Sequence, residues 1–147
     1  MKSEEFDVLV FAGRKIKSCS IPQKIKKISS YAFADSSITN IKISHHITQI
    51  CEGSFYFYKQ LKNIEIPLNS HLQVINESAF LECAIISIYI PLKVTYLGKN
   101  SLNCGNLKIF EFDENAELRA IESRKMSYYK QLIIMIPIKL RNHFKVI

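Results

Sequence analysis

The sequence predicts a repeat solenoid with short parallel β-strands on one face and turns or short helices on the other. Three observations predict it. Ile-Pro pairs or their equivalents recur at Ile21-Pro22, Ile43-Ser44, Ile66-Pro67, Ile90-Pro91, Phe112-Asp113 and Ile136-Pro137, at intervals of 22–24 residues. Two further apolar series keep step with them: Ile28, Ile50, Ile75, Leu97 and Ile121, then Phe33, Phe55, Phe80, Leu102 and Met126 five residues later. A last series, Ile38, Leu61, Ile85, Leu107 and Leu132, opens a spacing of apolar residues at i, i+3 and i+5. A period this short marks units that cannot bury their own apolar face and must stack to build a core.

Each element follows in chain order. Residues 1–15 read as an N-terminal cap, because the i, i+3, i+5 spacing first appears in a truncated unit, Ile16-Cys19-Ile21. It then recurs as Ile38-Ile41-Ile43, Leu61-Ile64-Ile66, Ile85-Ile88-Ile90 and Leu107-Phe110-Phe112. The end of each segment alternates in and out, which is the period of a short strand. Proline after the strand ends its hydrogen bonding, since it has no N–H and a fixed φ. The five-residue step from Ile28 to Phe33 and its equivalents is too short for a long helix. It predicts a single helical or 3₁₀ turn on the opposite wall. The last unit is looser: Tyr129-Lys130-Gln131-Leu132 echoes Tyr58-Lys59-Gln60-Leu61, but its strand is one residue shorter. The repeats therefore run from 16 to 137, about five units of 22–25 residues after the partial one, with a basic tail or cap at 138–147.

Ile75-Asn76-Glu77-Ser78-Ala79-Phe80-Leu81-Glu82-Cys83, followed by Ile88-Tyr89-Ile90-Pro91, resembles the BspA-type leucine-rich repeat. Ser30-Tyr31-Ala32-Phe33 and Gly53-Ser54-Phe55 fill the same slot. Leu102 and Met126 stand where that family usually has Phe, and Asp35 and Tyr58 where Cys is common, so the turns are expected to vary. The resemblance implies protein binding and an adhesin-like or surface-antigen role, and it carries over no catalytic residues.

Apolar residues make up 48% of the chain and charged residues 22%, which excludes a disordered chain and leaves room for one domain. Residues 1–7 place acids where a secretory signal needs a basic start and an apolar run. The apolar run 132–138 is about a third of the roughly 20 residues a spanning helix needs. Sequence alone thus points to the cytoplasm, and the resemblance to a cell surface. Cys19, Cys51, Cys83 and Cys104 form no C-x-x-C pair and read as buried free thiols, with a Cys83–Cys104 disulfide conceivable only in an oxidising compartment. His45, His46, His71 and His143 lack metal-ligand spacing, and no nucleophile elbow, zincin or phosphate-loop motif occurs. Neither catalysis nor a cofactor is expected.

The net charge of +7 raises a basic scaffold for nucleic acid or another anionic partner as the alternative function. Its basic residues are dispersed, however, from Lys15, Lys17, Lys24, Lys26 and Lys27 to Lys139, Arg141, His143 and Lys145, and no binding motif accompanies them. The outward side of the strands is the candidate site for a protein partner. Aligning the repeats assigns to it Asn40, Lys42, Asn63, Glu65, Ser87, Tyr89, Ile109, Glu111, Ile133 and Met135. This face turns from polar to apolar toward the C-terminus. Tyr89, Ile109, Ile133 and Met135 form either an adhesive stripe or a surface that the tail, 139–147, folds back to cover.

Overall fold

The computed structural model describes residues 8–9, 17–33, 36–121 and 133–143. The expected positions Ile16, Asp35, Met126, Tyr129 and Leu132 lie outside these, as do most of the 1–15 cap and residues 144–147 of the tail. In chain order the strands are β1 (Val8–Leu9), β2 (Ser18–Ser20), β3 (Lys27–Ile28), β4 (Asn40–Lys42), β5 (Gln49–Ile50) and β6 (Asn63–Glu65). They continue with β7 (Val74–Ile75), β8 (Ser87–Ile90), β9 (Tyr96–Leu97), β10 (Ile109–Phe112), β11 (Ala120–Ile121) and β12 (Ile133–Met135), and a 3₁₀ helix, Ile138–His143, follows.

The chain is a parallel solenoid of about five turns. The strands of three or four residues line one wall, in the ladders β2-β4-β6 and β8-β10-β12, with β8 beside β6. Their register is the one that repeat alignment predicts: Cys19 opposite Ile41 opposite Ile64, and Ile88 opposite Phe110 opposite Ile134.

On the opposite wall the expected turns form, though none of those among the described residues is a helical turn; the two-residue strands there make a six-stranded parallel sheet, β1-β3-β5-β7-β9-β11, that the repeat pattern does not predict. Ser29 to Ala32, Cys51 to Ser54, Asn76 to Ala79 and Gly98 to Ser101 then close as four-residue turns, each fourth N–H donating to the first carbonyl. The third residue of each, Tyr31, Gly53, Ser78 or Asn100, has φ between 54° and 57°. A left-handed residue at that point turns the chain and cannot continue a right-handed helix. The strands escaped notice because each holds one outward and one inward residue, too few to show an alternation.

The core runs down the axis between these walls. Phe33 stacks on Phe55 with ring centroids 4.7 Å apart, and Phe55 on Phe80 at 5.0 Å. All three are buried, and Leu102 takes the next position. Backbone bonds hold the spine in register: the Phe33, Phe55 and Phe80 N–H groups donate to the Ser54, Ala79 and Ser101 carbonyls at 3.0, 2.9 and 2.8 Å. Cys83 and Cys104 are buried thiols outside any disulfide, and donate to the Phe55 and Phe80 carbonyls at 2.9 and 3.0 Å. Burial and the neighbouring Cys83 push the Cys104 thiol well above its ordinary range, which keeps it protonated. Cys19 packs against the core on its inward strand position.

Phe55→Ala is expected to cost about 3–5 kcal/mol because it opens a cavity between two rings, and Phe55→Leu clearly less; urea unfolding reads both. A second pair has opposite signs. Ser54 Oγ donates to the Cys51 carbonyl at 2.7 Å and lies within 3.3 Å of two more, whereas Ser101 Oγ, buried at the equivalent position, has no partner. Ser54→Ala should lower the melting temperature, by about 1 kcal/mol of stability, and Ser101→Ala should leave it unchanged or raise it.

Candidate functional site

Strand pairing decides which outward side chains meet. Asn40 stands opposite Asn63 and Lys42 opposite Glu65, while Ser87, Ile109 and Ile133 form one file and Tyr89, Glu111 and Met135 another. All ten residues expected on the strand face occupy outward positions of these ladders. They are therefore one surface, divided at the junction of β6 and β8.

The N-terminal half is satisfied from within. Asn63 Nδ2 donates to Asn40 Oδ1 at 2.6 Å, and Asn40 Nδ2 to Thr39 Oγ1 at 2.9 Å. Lys42 Nζ lies 2.7 Å from Glu65 Oε1, with both side chains more than 60% exposed, so the pair contributes at most about 1 kcal/mol. Its consequence is electrostatic: the charge that Lys42 adds to this face is cancelled by Glu65. With Glu111 also outward, the strand face is not where the net positive charge collects.

The C-terminal half is apolar and open. Ile109, Ile133 and Met135 are 38%, 62% and 45% exposed. The described part of the tail does not cover them: its 3₁₀ helix buries Leu140 against the core instead. Ile86, one residue before β8, is also exposed at 46%, and its carbonyl accepts the Ile109 N–H of the next rung. Sequence reading passed over it because it falls one residue before the alternating part of its strand.

Tyr89 is not part of the open stripe as expected. It is half-buried, and its hydroxyl donates to Asp113 Oδ2 at 2.6 Å. Asp113 Oδ1 accepts the Asn115 N–H at 2.8 Å, so one carboxylate holds both the phenol and the turn after β10. Burial and this bond raise the Tyr89 hydroxyl far above its ordinary value, and the same bond lowers Asp113.

Two clusters were not legible from motif searches. Tyr31, Tyr56 and Phe57 are exposed on the turn side, Tyr31 edge-on to Tyr56 at 6.3 Å, with Lys59 Nζ 4.5 Å over the Phe57 ring. Gly53 makes room for the Tyr31 ring, since a Cβ there would lie 2.5 Å from Tyr31 Cε1. On the loop wall His45, His46 and His71 come together although their spacing showed no pattern. Their ring centroids are 3.8, 6.1 and 6.4 Å apart. Aligning loops on the buried Ile25, Ile47 and Leu72 rather than on strands would have found them. No group of three His, Cys, Asp or Glu among the described residues is arranged to hold a metal ion. Among them, no helix is long and apolar enough to cross a membrane.

Asp113 gives a pH prediction. Its carboxyl titrates below its ordinary value of 3.8, so its contribution to stability is complete above that value and is lost as pH falls through the folded pKa. Tyr89→Phe removes the main cause, and an NMR titration of Asp113 should then show its pKa move up toward 3.8.

The solved structure of the pneumococcal vaccine antigen PcpA superposes with a TM-score of 0.69 at 20% identity, over 76% of this chain and 28% of that one. A leucine rich cell surface protein from Faecalibacterium prausnitzii A2-165 gives a TM-score of 0.47 at 20% identity, over 69% of this chain and 40% of the other. This chain thus spans less than half of either structure. No curated protein matches the sequence. The model of the BspA type leucine rich repeat region matches in six copies across residues 3–108 and 26–143. Those copies are the coils whose two walls and phenylalanine spine are described above, and the chain belongs to the BspA-type leucine-rich repeat family.

Proposed function

We propose that this chain is a protein-recognition module that engages its partner through the C-terminal half of the strand face. The carrying observation is the exposed run Ile109, Ile133 and Met135, beside a polar half whose hydrogen bonds and charges are already paired. An apolar patch on an otherwise satisfied sheet gains most from burial against a partner, and such patches concentrate binding energy. The rigid parallel ladder below it supports this reading, since side chains held in register lose little freedom on docking. Family membership supports a protein-interaction role in general. The full partner-binding set is Asn40, Lys42, Asn63, Glu65, Ser87, Tyr89, Ile109, Glu111, Ile133 and Met135, with the first four forming a polar margin. A surface-antigen or adhesin-like role is the more specific form of this proposal.

Two measurements test it. The intact chain, an Ile109→Asp/Ile133→Asp variant and a control changed on the opposite wall, Lys27→Ala/Lys99→Ala, matched in melting temperature, are exposed to proteins of the native cell and its surroundings. A protein bound by the chain and the control but lost at least about tenfold by the aspartate variant supports the patch. Equal retention by all three overturns it. The surface role is checked by labelling a tagged copy in intact and in permeabilised cells; label that appears only after permeabilisation overturns that role.

A further inference from the structure

The loops between the two walls carry a ladder that the strand face does not use. The residues just before the buried Ile25, Ile47, Leu72 and Val94 are Lys24, His46, His71 and Lys93. Consecutive coils stack at strand spacing, about 4.8 Å, so four successive loops present a basic group at the same height. Backbone bonds fix the first three: the Thr48 N–H donates to the Lys26 carbonyl at 2.7 Å, and the His71 N–H to the His45 carbonyl at 2.9 Å. Gln23, Lys24, Lys26, His46 and His71 line one cleft of about 270 Å³.

Among the described residues no carboxylate lines this cleft. The charged and titratable groups facing His46 are His45 on its own loop, Lys26 and Lys24 from the loop before β3, and His71 from the loop after β6. Like charges gathered without a counter-charge raise the free energy of the protonated cluster, and an anion in their midst relieves it. The lysines also disfavour a cation. The Gln23 amide adds a neutral donor for an oxygen that the cations leave free.

We propose that this loop-wall cleft binds a tetrahedral oxyanion, a sulfate or phosphate group, held by Lys24, Lys26, His46 and His71, and that it does so in mildly acidic medium. Burial, then the charges of His45, His71 and Lys26, hold His46 below its ordinary 6.5, so it is neutral near pH 7 and gains its charge only under acid conditions. The bound anion favours the charged form; binding therefore takes up a proton and tightens as pH falls. The site lies on a different wall from the apolar patch and stands without it.

The test uses the full chain and inorganic sulfate and phosphate, with chloride at equal ionic strength as control. The histidine ring signals are followed by NMR at about pH 5.5 and about pH 7.5. Saturable shifts of the His46 and His71 signals, with affinity about tenfold tighter at the lower pH, support the site. Lys24→Gln/Lys26→Gln should lose the binding at both pH values, and His46→Asn/His71→Asn should leave a weak, pH-independent remnant. These are exposed or half-buried loop residues, so circular dichroism should be unchanged. A sulfated disaccharide that binds tighter than the free ion places the group on a larger molecule, and equal binding assigns the free ion. Shifts matched by chloride, binding that does not depend on pH, or full binding by the lysine variant each overturn the proposal.

Discussion

Everything in this molecule depends on backbone hydrogen bonds that run from coil to coil rather than within a coil. A single repeat, such as the one with Ile28, Phe33, Ile38, Ile41 and Ile43, has apolar residues that it cannot cover alone and no partner for its strand N–H and carbonyl groups, and burying either without the other would cost more than it gains. Parallel pairing on both walls, and the Phe33, Phe55 and Phe80 amides bonded to the following turn, solve both problems together. They also set one spacing for the whole chain. The stacked phenylalanine rings, the two thiols under the preceding carbonyls and the ladders on each surface follow from that spacing. The two-residue strands show how economical the arrangement is, since a pair of residues suffices to continue a ladder whose neighbours are already in place.

That regularity explains how function is laid out. With the rungs in register, a substitution in one repeat lands beside its counterpart in the next, so surfaces change by the file. One file holds Asn40 with Asn63 and the next holds Lys42 with Glu65, pairs that answer each other and leave little for a partner. Two coils beyond β6 the first file holds Ile109, and three coils beyond it the two files hold Ile133 and Met135, which have no such answer. The loop wall follows the same logic with basic side chains: Lys24, His46, His71 and Lys93 recur along the axis. A solenoid thus carries distinct faces without altering its core.

Departures from regularity sit in the turns. Tyr31 and Phe57 adopt left-handed backbone angles that aromatic residues seldom take, and coil-to-coil bonds hold both, Tyr31 N–H on the Glu52 carbonyl and Phe57 N–H on the Leu81 carbonyl. Tyr58 fills, with a hydroxyl bonded to Ser36 and the Ile38 N–H, the slot that thiols occupy in later coils. Ser101 keeps a hydroxyl where Ala32 and Ala79 have none, without the carbonyls that serve Ser54.

By itself the sequence determined the repeat, its length, the inward residues, the register of the longer strands and the ten outward positions, because each reflects which residues recur at a fixed distance along the chain. The second sheet was not legible: strands such as Lys27–Ile28 are defined by their neighbours' hydrogen bonds and not by any pattern of their own. Nor was the tether of Tyr89 to Asp113, the open state of Ile133, or the meeting of His45 and His46 with His71. These depend on which loops the stacking brings side by side, and the nine-residue step from Ile66 to Ile75 against seven from Ile43 to Ile50 hides that equivalence from a count along the chain. Spacing along a chain specifies the rungs; only the closed coils decide which side chains from different rungs touch.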